Sequence, residues 1–455
     1  MTTMIAAASG RDSGFAALDL AQALVRAVTD LGFTQPTPVQ QAAIPLALMR
    51  DGAGADLMVS SQTGSGKTAA YLLPVLDALC RHGAVEADRA ERAPERRGRA
   101  GARGRFEPAA PQALVLCPTR ELAQQVARDA VDLLRHTRGV RVATVVGGMP
   151  YAVQLQRLAG ASVVVATPGR LLDLHRGGHV RLAAVQHVVL DEADRMLDLG
   201  FAEDLAEIHR LTEGRRQTLM FSATFAPRVQ ALAARIMRDP QRVSLETAQD
   251  RHTHIEQRLY WCDSPSHKRR VLDHWLRDEA IEQAIVFAST QIECDELAQD
   301  LQQAGFAAVA LHGALSQGLR NRRLQALRQG QVQILVATDV AARGIDVPTI
   351  THVFNYGLPM KAEDYVHRIG RTGRAGRRGL AVTMAEPRDR RRIGAIEAFS
   401  RQPIPTQTIP GLEPRMPAAA PRSDRRPAGK PGGRGWGRGA PQARRAEHAP
   451  RGFAR

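Results

Sequence analysis

The sequence predicts an α/β protein of two tandem domains, each a parallel sheet flanked by helices. Three observations carry that expectation. The chain has 455 residues, more than one hydrophobic core usually supports, so two domains plus tails are expected. Short apolar runs alternate with longer helical stretches in two successive series. Finally, the segments with phosphate-handling chemistry begin where those runs end, which is where open α/β sheets bind ligands.

The first series of runs is Asp56–Ser60, Ala113–Cys117, Val142–Val146, Ser162–Ala166, His187–Leu190 and Thr218–Phe221. The second is Ala284–Ala288, Ala307–Leu311, Gln333–Ala337, His352–Tyr356 and Gly379–Met384. Each is nearly continuous in apolar residues, as strands buried on both faces are. Their alternation with helices makes both sheets parallel. The expected organisation is a flexible start over residues 1–14, a first domain over 15–245, a linker over 246–253 and a second domain over 254–400. Residues 401–455 read as a disordered tail, and Arg81–Pro111 as a disordered insertion, both rich in Ala, Arg, Gly and Pro.

Composition narrows the class. Hydrophobic residues at 44% suffice for two cores, while aromatics at 4% weaken any reading built on stacking platforms. Cys80, Cys117, Cys262 and Cys294 form no Cys-x-x-Cys pair, so neither a disulfide framework nor a zinc site is expected and a reducing compartment fits. No apolar run approaches the roughly 20 residues that span a bilayer, and Met1–Gly14 lacks the pattern of a signal peptide. A soluble, cytoplasmic protein is expected. The net charge of +16 is concentrated: residues 415–455 hold 11 basic and 2 acidic residues, and residues 81–105 hold 8 and 4. Clustered guanidinium groups suit phosphate recognition.

The first chemical motif follows the first run. Gln62-Thr63-Gly64-Ser65-Gly66-Lys67-Thr68 has glycines that let the backbone turn and aim its N–H groups inward, with a helix start behind them directing its positive end at the same point. Thr63, Gly64, Ser65 and Gly66 would cradle a nucleoside triphosphate, Lys67 would meet its β- and γ-phosphates, and Thr68 would coordinate magnesium. Asp191-Glu192-Ala193-Asp194 closes the run ending at Leu190. An acid at a strand terminus beside a phosphate loop is the expected magnesium holder, here Asp191. Glu192 is placed to orient or deprotonate the attacking water.

Ser222-Ala223-Thr224 follows the next run. Its hydroxyls can link the acidic motif to whatever closes over it. His367-Arg368-Ile369-Gly370-Arg371-Thr372-Gly373-Arg374 lies near the other end of the chain. Arg371 and Arg374, three apart, share one face of a helical turn and can act as fingers on a transferring phosphoryl group. An active site completed from a second lobe is made and broken as the lobes close and open.

In this order the motifs resemble those of the DEAD-box ATP-dependent RNA helicases of superfamily 2, over about residues 15 to 390. Gly32-Phe33-Thr34-Gln35-Pro36-Thr37-Pro38-Val39-Gln40 resembles the adenine-reading segment. Pro118-Thr119-Arg120-Glu121-Leu122-Ala123, Gly147-Gly148 and Thr167-Pro168-Gly169-Arg170 resemble RNA contacts of a first RecA-like domain. Gln317 with Arg320, and the segment from Ala337 through Thr338, Arg343 and Asp346, resemble those of a second.

The resemblance implies roles. Gln40 would bond the adenine edge with Phe15 packing on the base, and Asp346 would contact the ribose. His367, with Ser222 and Thr224, would couple the closed lobes to the acidic motif. Arg120, Gly148, Thr167, Arg170, Gln317, Arg320, Thr338 and Arg343 would line the RNA's sugar-phosphate path, which implies little base specificity. ATP and magnesium are the implied cofactors and RNA the implied partner, while protein partners stay unknown. Gly357 departs from the family, standing where many members carry Asp. ATP-driven closure would separate short duplexes locally, and the basic tail would tether RNA by counterion release. Two other functions remain open on these residues: a DNA-directed translocase, and an RNA clamp that uses ATP without unwinding.

Overall fold

The computed structural model describes residues 14–48, 55–60, 65–92, 107–223, 225–244, 255–342, 345, 347, 349–373 and 377–415. Among the described residues thirteen strands form two sheets, and every strand pair within them is parallel. The first sheet contains β1 (Leu57–Ser60), β2 (Ala113–Leu116), β3 (Val142–Val145), β4 (Val163–Ala166), β5 (His187–Leu190), β6 (Gln217–Ser222) and β7 (Gln241–Ser244). Its order is β3-β4-β2-β5-β6-β1-β7. The second contains β8 (Ile255–Trp261), β9 (Gln283–Phe287), β10 (Ala308–Leu311), β11 (Ile334–Ala337), β12 (Ile350–Asn355) and β13 (Gly379–Ala385), in the order β10-β11-β9-β12-β13-β8.

Alternation along each strand builds two cores per sheet. Leu57, Val59, Val115 and Val189 enter one cluster, and Met58, Leu114, Leu116 and Val188 the opposite one. In the second sheet Ala284 and Val286 face one way, Ile285 and Phe287 the other. Successive strand side chains point to opposite faces, so a strand apolar throughout must be covered by helices on both sides. Each fully buried Val, Leu or Ile contributes about 1.5–3 kcal/mol, and this fixes the register.

Helices begin where strands end, several behind a hydroxyl cap. Thr119 accepts the Leu122 N–H at 3.3 Å and opens the helix Arg120–Leu133 after β2. Thr290 does the same for Glu293 at 3.1 Å after β9. Each cap satisfies an orphan N–H of the first turn, and each holds the start of a helix at the carboxyl end of its sheet.

All eleven expected strands are present, with ends shifted by a residue or so. Two were not expected. The outermost strands β7 and β8 are covered less completely, and in β7 only Val243 is buried, so neither shows a continuous apolar run. Two disorder expectations are corrected in part. The helix Lys67–Arg92 runs through the start of the presumed insertion, and Ala109 bridges Val180 at its end. Residues 401–415, assigned to the tail, pack on the second sheet: Ile404 and Ile409 are buried, and Thr406 bridges Leu259. The rest of the insertion and tail, the linker 246–253 and residues 1–13 lie outside the described residues.

Candidate active site

The helix Lys67–Arg92 starts just past the carboxyl end of β1. Lys67 is buried there, at its first turn. Gly66 precedes it at φ +90°, and a Cβ at that position would lie 2.6 Å from Gln40 Nε2 and 2.9 Å from Thr37 Oγ1. Only glycine meets both demands. Gln40 clasps this turn: its Nε2 donates to the Gly66 carbonyl at 3.0 Å, and its Oε1 accepts the Thr37 N–H at 2.9 Å. Ser65 and Thr68 flank Gly66 and Lys67, while Thr63 and Gly64 lie outside the described residues.

Asp191 follows β5, its N–H bonded to the Leu116 carbonyl at 2.9 Å. It is buried, and Tyr71, one turn beyond Lys67, donates its hydroxyl to Oδ2 at 2.8 Å. The other oxygen, Oδ1, is buried with no hydrogen-bond partner among the described residues. Burial pushes the Asp191 carboxyl up to about 6; the Lys67 charge opposes that rise and Glu192 adds to it. Glu192 sits in the left-handed region at φ +54°, ψ +53°, a conformation that costs a non-glycine residue about 1–2 kcal/mol. Such strain clusters at functional sites. Asp194 is also raised, first by burial and then by Glu192, against Lys67, Arg195 and a hydrogen bond from Ser222. Ser222 is fully buried at the end of β6, and Thr224 lies outside the described residues.

From the other sheet's side, His367 brings Nε2 to 3.8 Å from Asp194 Oδ2. Arg371 lines a small cleft with Arg195, Asp364 and His367. Its Nη1 donates to the Ile345 carbonyl at 2.9 Å and its Nε to the His367 carbonyl at 3.2 Å, bonds within the second lobe. Arg374, Arg343 and Asp346 lie outside the described residues. Phe15 is 4% exposed within the first core, which leaves little of its ring open to a base.

The lobes meet at further places. Arg195 pairs with Asp364, both buried. Arg228 bonds Asp198 at 2.5 Å and Glu363 at 2.9 Å, and Lys361 reaches Asp198 at 2.7 Å. On the expected RNA side, Arg320 Nη2 stands 2.7 Å from Glu121 Oε1, and Arg120 Nη1 donates to Gln317 Oε1 at 3.2 Å. The Arg120 guanidinium lies against Gly147 and Gly148, where a Cβ on Gly148 would come within 2.5 Å of Nη1. Arg120, Gly148, Gln317 and Arg320 are therefore one constellation. Thr167 starts the helix after β4, Arg170 lies 6.0 Å from the Tyr151 ring centroid, and Thr338 caps the turn after β11.

Sequence reasoning passed over Tyr71, Glu121, Arg195 and Arg368. Glu121 and Arg368 stood inside quoted motifs, overshadowed by neighbours. The Arg368 Nε and Nη2 grip Asp339 at 2.5 and 2.7 Å, and its guanidinium lies 4.7 Å from the Phe287 ring centroid. It holds the second lobe together. Gly357 has a steric reason: a Cβ there would stand 2.1 Å from Ser289 Oγ.

Residues 37–232 match the DEAD/DEAH box helicase family model, and residues 267–376 match the helicase conserved C-terminal domain. The chain is 40% identical over 406 residues to the ATP-dependent RNA helicase SrmB of Escherichia coli, covering 89% of this chain and 86% of that protein. It is 41% identical over 399 residues to the RNA helicase CrhR of Synechocystis, covering 88% and 75%. Among solved structures it resembles S. cerevisiae Dbp5 bound to RNA and ADP BeF3, at 30% identity and a TM-score of 0.74, covering 87% of this chain and 95% of that one. Among the described residues, no helix is long and apolar enough to cross a membrane.

Proposed function

The chain belongs to the DEAD-box RNA helicases, tandem RecA-like proteins that hydrolyse ATP and bind RNA, and from that premise we propose how its residues divide the work. Residues 15–245 form the ATP-binding domain, and the helicase C-terminal domain runs from 254 through the packed segment that ends at 415. Ser65, Gly66 and Lys67, with Thr63 and Gly64, hold the phosphates, while Gln40 reads the adenine with the capacity left after its bonds to Gly66 and Thr37. A cytoplasmic location belongs to the same reading, supported by four unpaired cysteines.

One observation carries the assignment: Asp191 keeps a buried Oδ1 with no hydrogen-bond partner among the described residues while the Lys67 charge acts on the same carboxyl. A buried polar atom left unsatisfied is costly, and a divalent cation matches this oxygen donor in charge and hardness. Asp191 and Thr68 would therefore hold Mg2+, which when bound neutralises charge on the phosphates. Glu192 takes the proton of the attacking water. Arg371 and Arg374 meet the developing phosphoryl charge, and His367 ties closure to Asp194 through Ser222 and Thr224.

Closure forms the RNA path. Arg120, Gly148, Gln317 and Arg320 assemble only when both lobes meet, and Thr167, Arg170, Thr338 and Arg343 extend the path along the sugar-phosphate chain. ATP and RNA each bind the closed state better, so each favours the other. A strand bent to fit that path cannot stay in an A-form duplex, and short duplexes come apart locally. Displacement of a labelled strand from a short RNA duplex tests this, run with ATP and with a non-hydrolysable analogue. Strand release dependent on ATP, and greater on RNA than on DNA, is expected. RNA retention with ATP and no displacement would establish a clamp instead.

A further inference from the structure

Tyr71 belongs to none of the motifs, yet its hydroxyl is a side-chain donor to the acid expected to meet the metal. It is fully buried on the helix that Lys67 begins, four residues on and therefore on the same helix face. Its ring meets Phe221 of β6 edge-on, with centroids 5.2 Å apart and planes at 64°, a favourable packing of two rings. The hydroxyl donates to Asp191 Oδ2 at 2.8 Å, and Oδ1 of the same carboxyl has no hydrogen-bond partner among the described residues.

That asymmetry has a mechanical consequence. The last torsion of a carboxylate is broad, and a half-turn only exchanges two equivalent oxygens, so a lone Asp191 in this pocket is free to set its carboxylate plane at many angles. A donor held on Oδ2 removes that freedom and leaves Oδ1 as the open atom. Resting on the reading of Asp191 as metal holder, we infer that Tyr71 is a positioning residue that locks the Asp191 carboxylate by one hydrogen bond so that Oδ1 faces the divalent cation of the nucleotide. The same helix then sets both the phosphate-binding lysine and the orientation of the acid.

The test uses the full chain and the Tyr71→Phe variant, which keeps the ring against Phe221 and removes only the hydroxyl. Binding of a fluorescent ADP is measured with and without Mg2+, and Mn2+ uptake by the ADP complex is followed by electron paramagnetic resonance. Removing a hydrogen-bond partner of a metal-ligating group typically weakens metal affinity 10–100-fold. The expected result is a loss of about 10-fold in the metal-dependent part of ADP affinity and in Mn2+ affinity, with metal-free ADP binding unchanged. Phe221→Leu, which disturbs the packing but keeps the hydroxyl, should leave the metal-dependent part in place. Equal losses in Phe221→Leu and Tyr71→Phe would overturn the inference in favour of packing, and so would an unchanged metal-dependent part in Tyr71→Phe. Asp191→Asn separates the two levels. If that variant also leaves metal binding intact, Asp191 is not the holder and both readings fall. If it abolishes metal binding while Tyr71→Phe does not, only the role of Tyr71 falls.

Discussion

Lys361 of the second lobe and Asp198 of the first meet at 2.7 Å, and the same carboxylate takes Arg228 at 2.5 Å. Burial alone would raise the Asp198 carboxyl, but the hydrogen bonds from Lys361 and Arg228 outweigh it and hold the group below its ordinary value. A depressed carboxyl adds stability above its unperturbed pKa and loses it as pH falls through the depressed one. Closure should therefore weaken in acid below the usual carboxylate range and with added salt. Half of the Lys361 side chain is exposed, so screening keeps its pair near the ~0.2–1 kcal/mol of surface contacts. Asp198→Asn should raise the RNA concentration for half-maximal ATPase by roughly 1.4- to fivefold, the equivalent of that energy range. Fluorescence transfer between the lobes should report less of the closed form with ATP and RNA.

Glu192→Gln should keep ATP and RNA bound together while turnover drops by about 10²–10⁴, the usual scale for losing a general base. Single-turnover hydrolysis and retention of labelled RNA measure the two effects. Ordinary turnover in this variant would remove Glu192 from the mechanism.

Gly66→Ala should abolish nucleotide affinity with little effect elsewhere. The added methyl runs into Gln40 Nε2 and Thr37 Oγ1, on a backbone already at φ +90°. Equilibrium binding of a fluorescent ATP analogue checks this, and unaltered binding would mean that the loop has room to move.

Truncation after Arg415 should raise the RNA concentration needed for half-maximal activity while sparing the rate at saturation. The cut belongs there because residues 404–412 are part of the second lobe's packing. Basic residues acting through counterion release make the effect salt-dependent, so no change at low salt would show that the tail only aids solubility.

Much of this was legible in the chain. Strands such as Val163–Ala166, buried throughout, announce themselves because helices must cover both faces. Lys67, Asp191 and Glu192 were legible because a phosphate site demands those groups at strand ends. β7 and β8 were not, since both mix exposed and buried positions. Nor were Tyr71 and Glu121: a tyrosine in an apolar helix looks like core, and Glu121 acquires its partner Arg320 only across nearly 200 residues of sequence. Contacts made through tertiary folding leave no local periodicity. Arg371 was found by its motif, but its present bonds to backbone carbonyls were beyond any spacing argument.

The segment after the last helix has a consequence of its own. Leu259 of β8 donates its N–H to the Pro405 carbonyl at 2.8 Å and accepts from the Gln407 N–H at 2.9 Å. A bare outermost strand is a template on which another chain can pair, and this short strap occupies the middle of that template. A protein cut before Ile404 should consequently self-associate on standing or warming, a failure of colloidal behaviour that light scattering would register before any loss of catalysis.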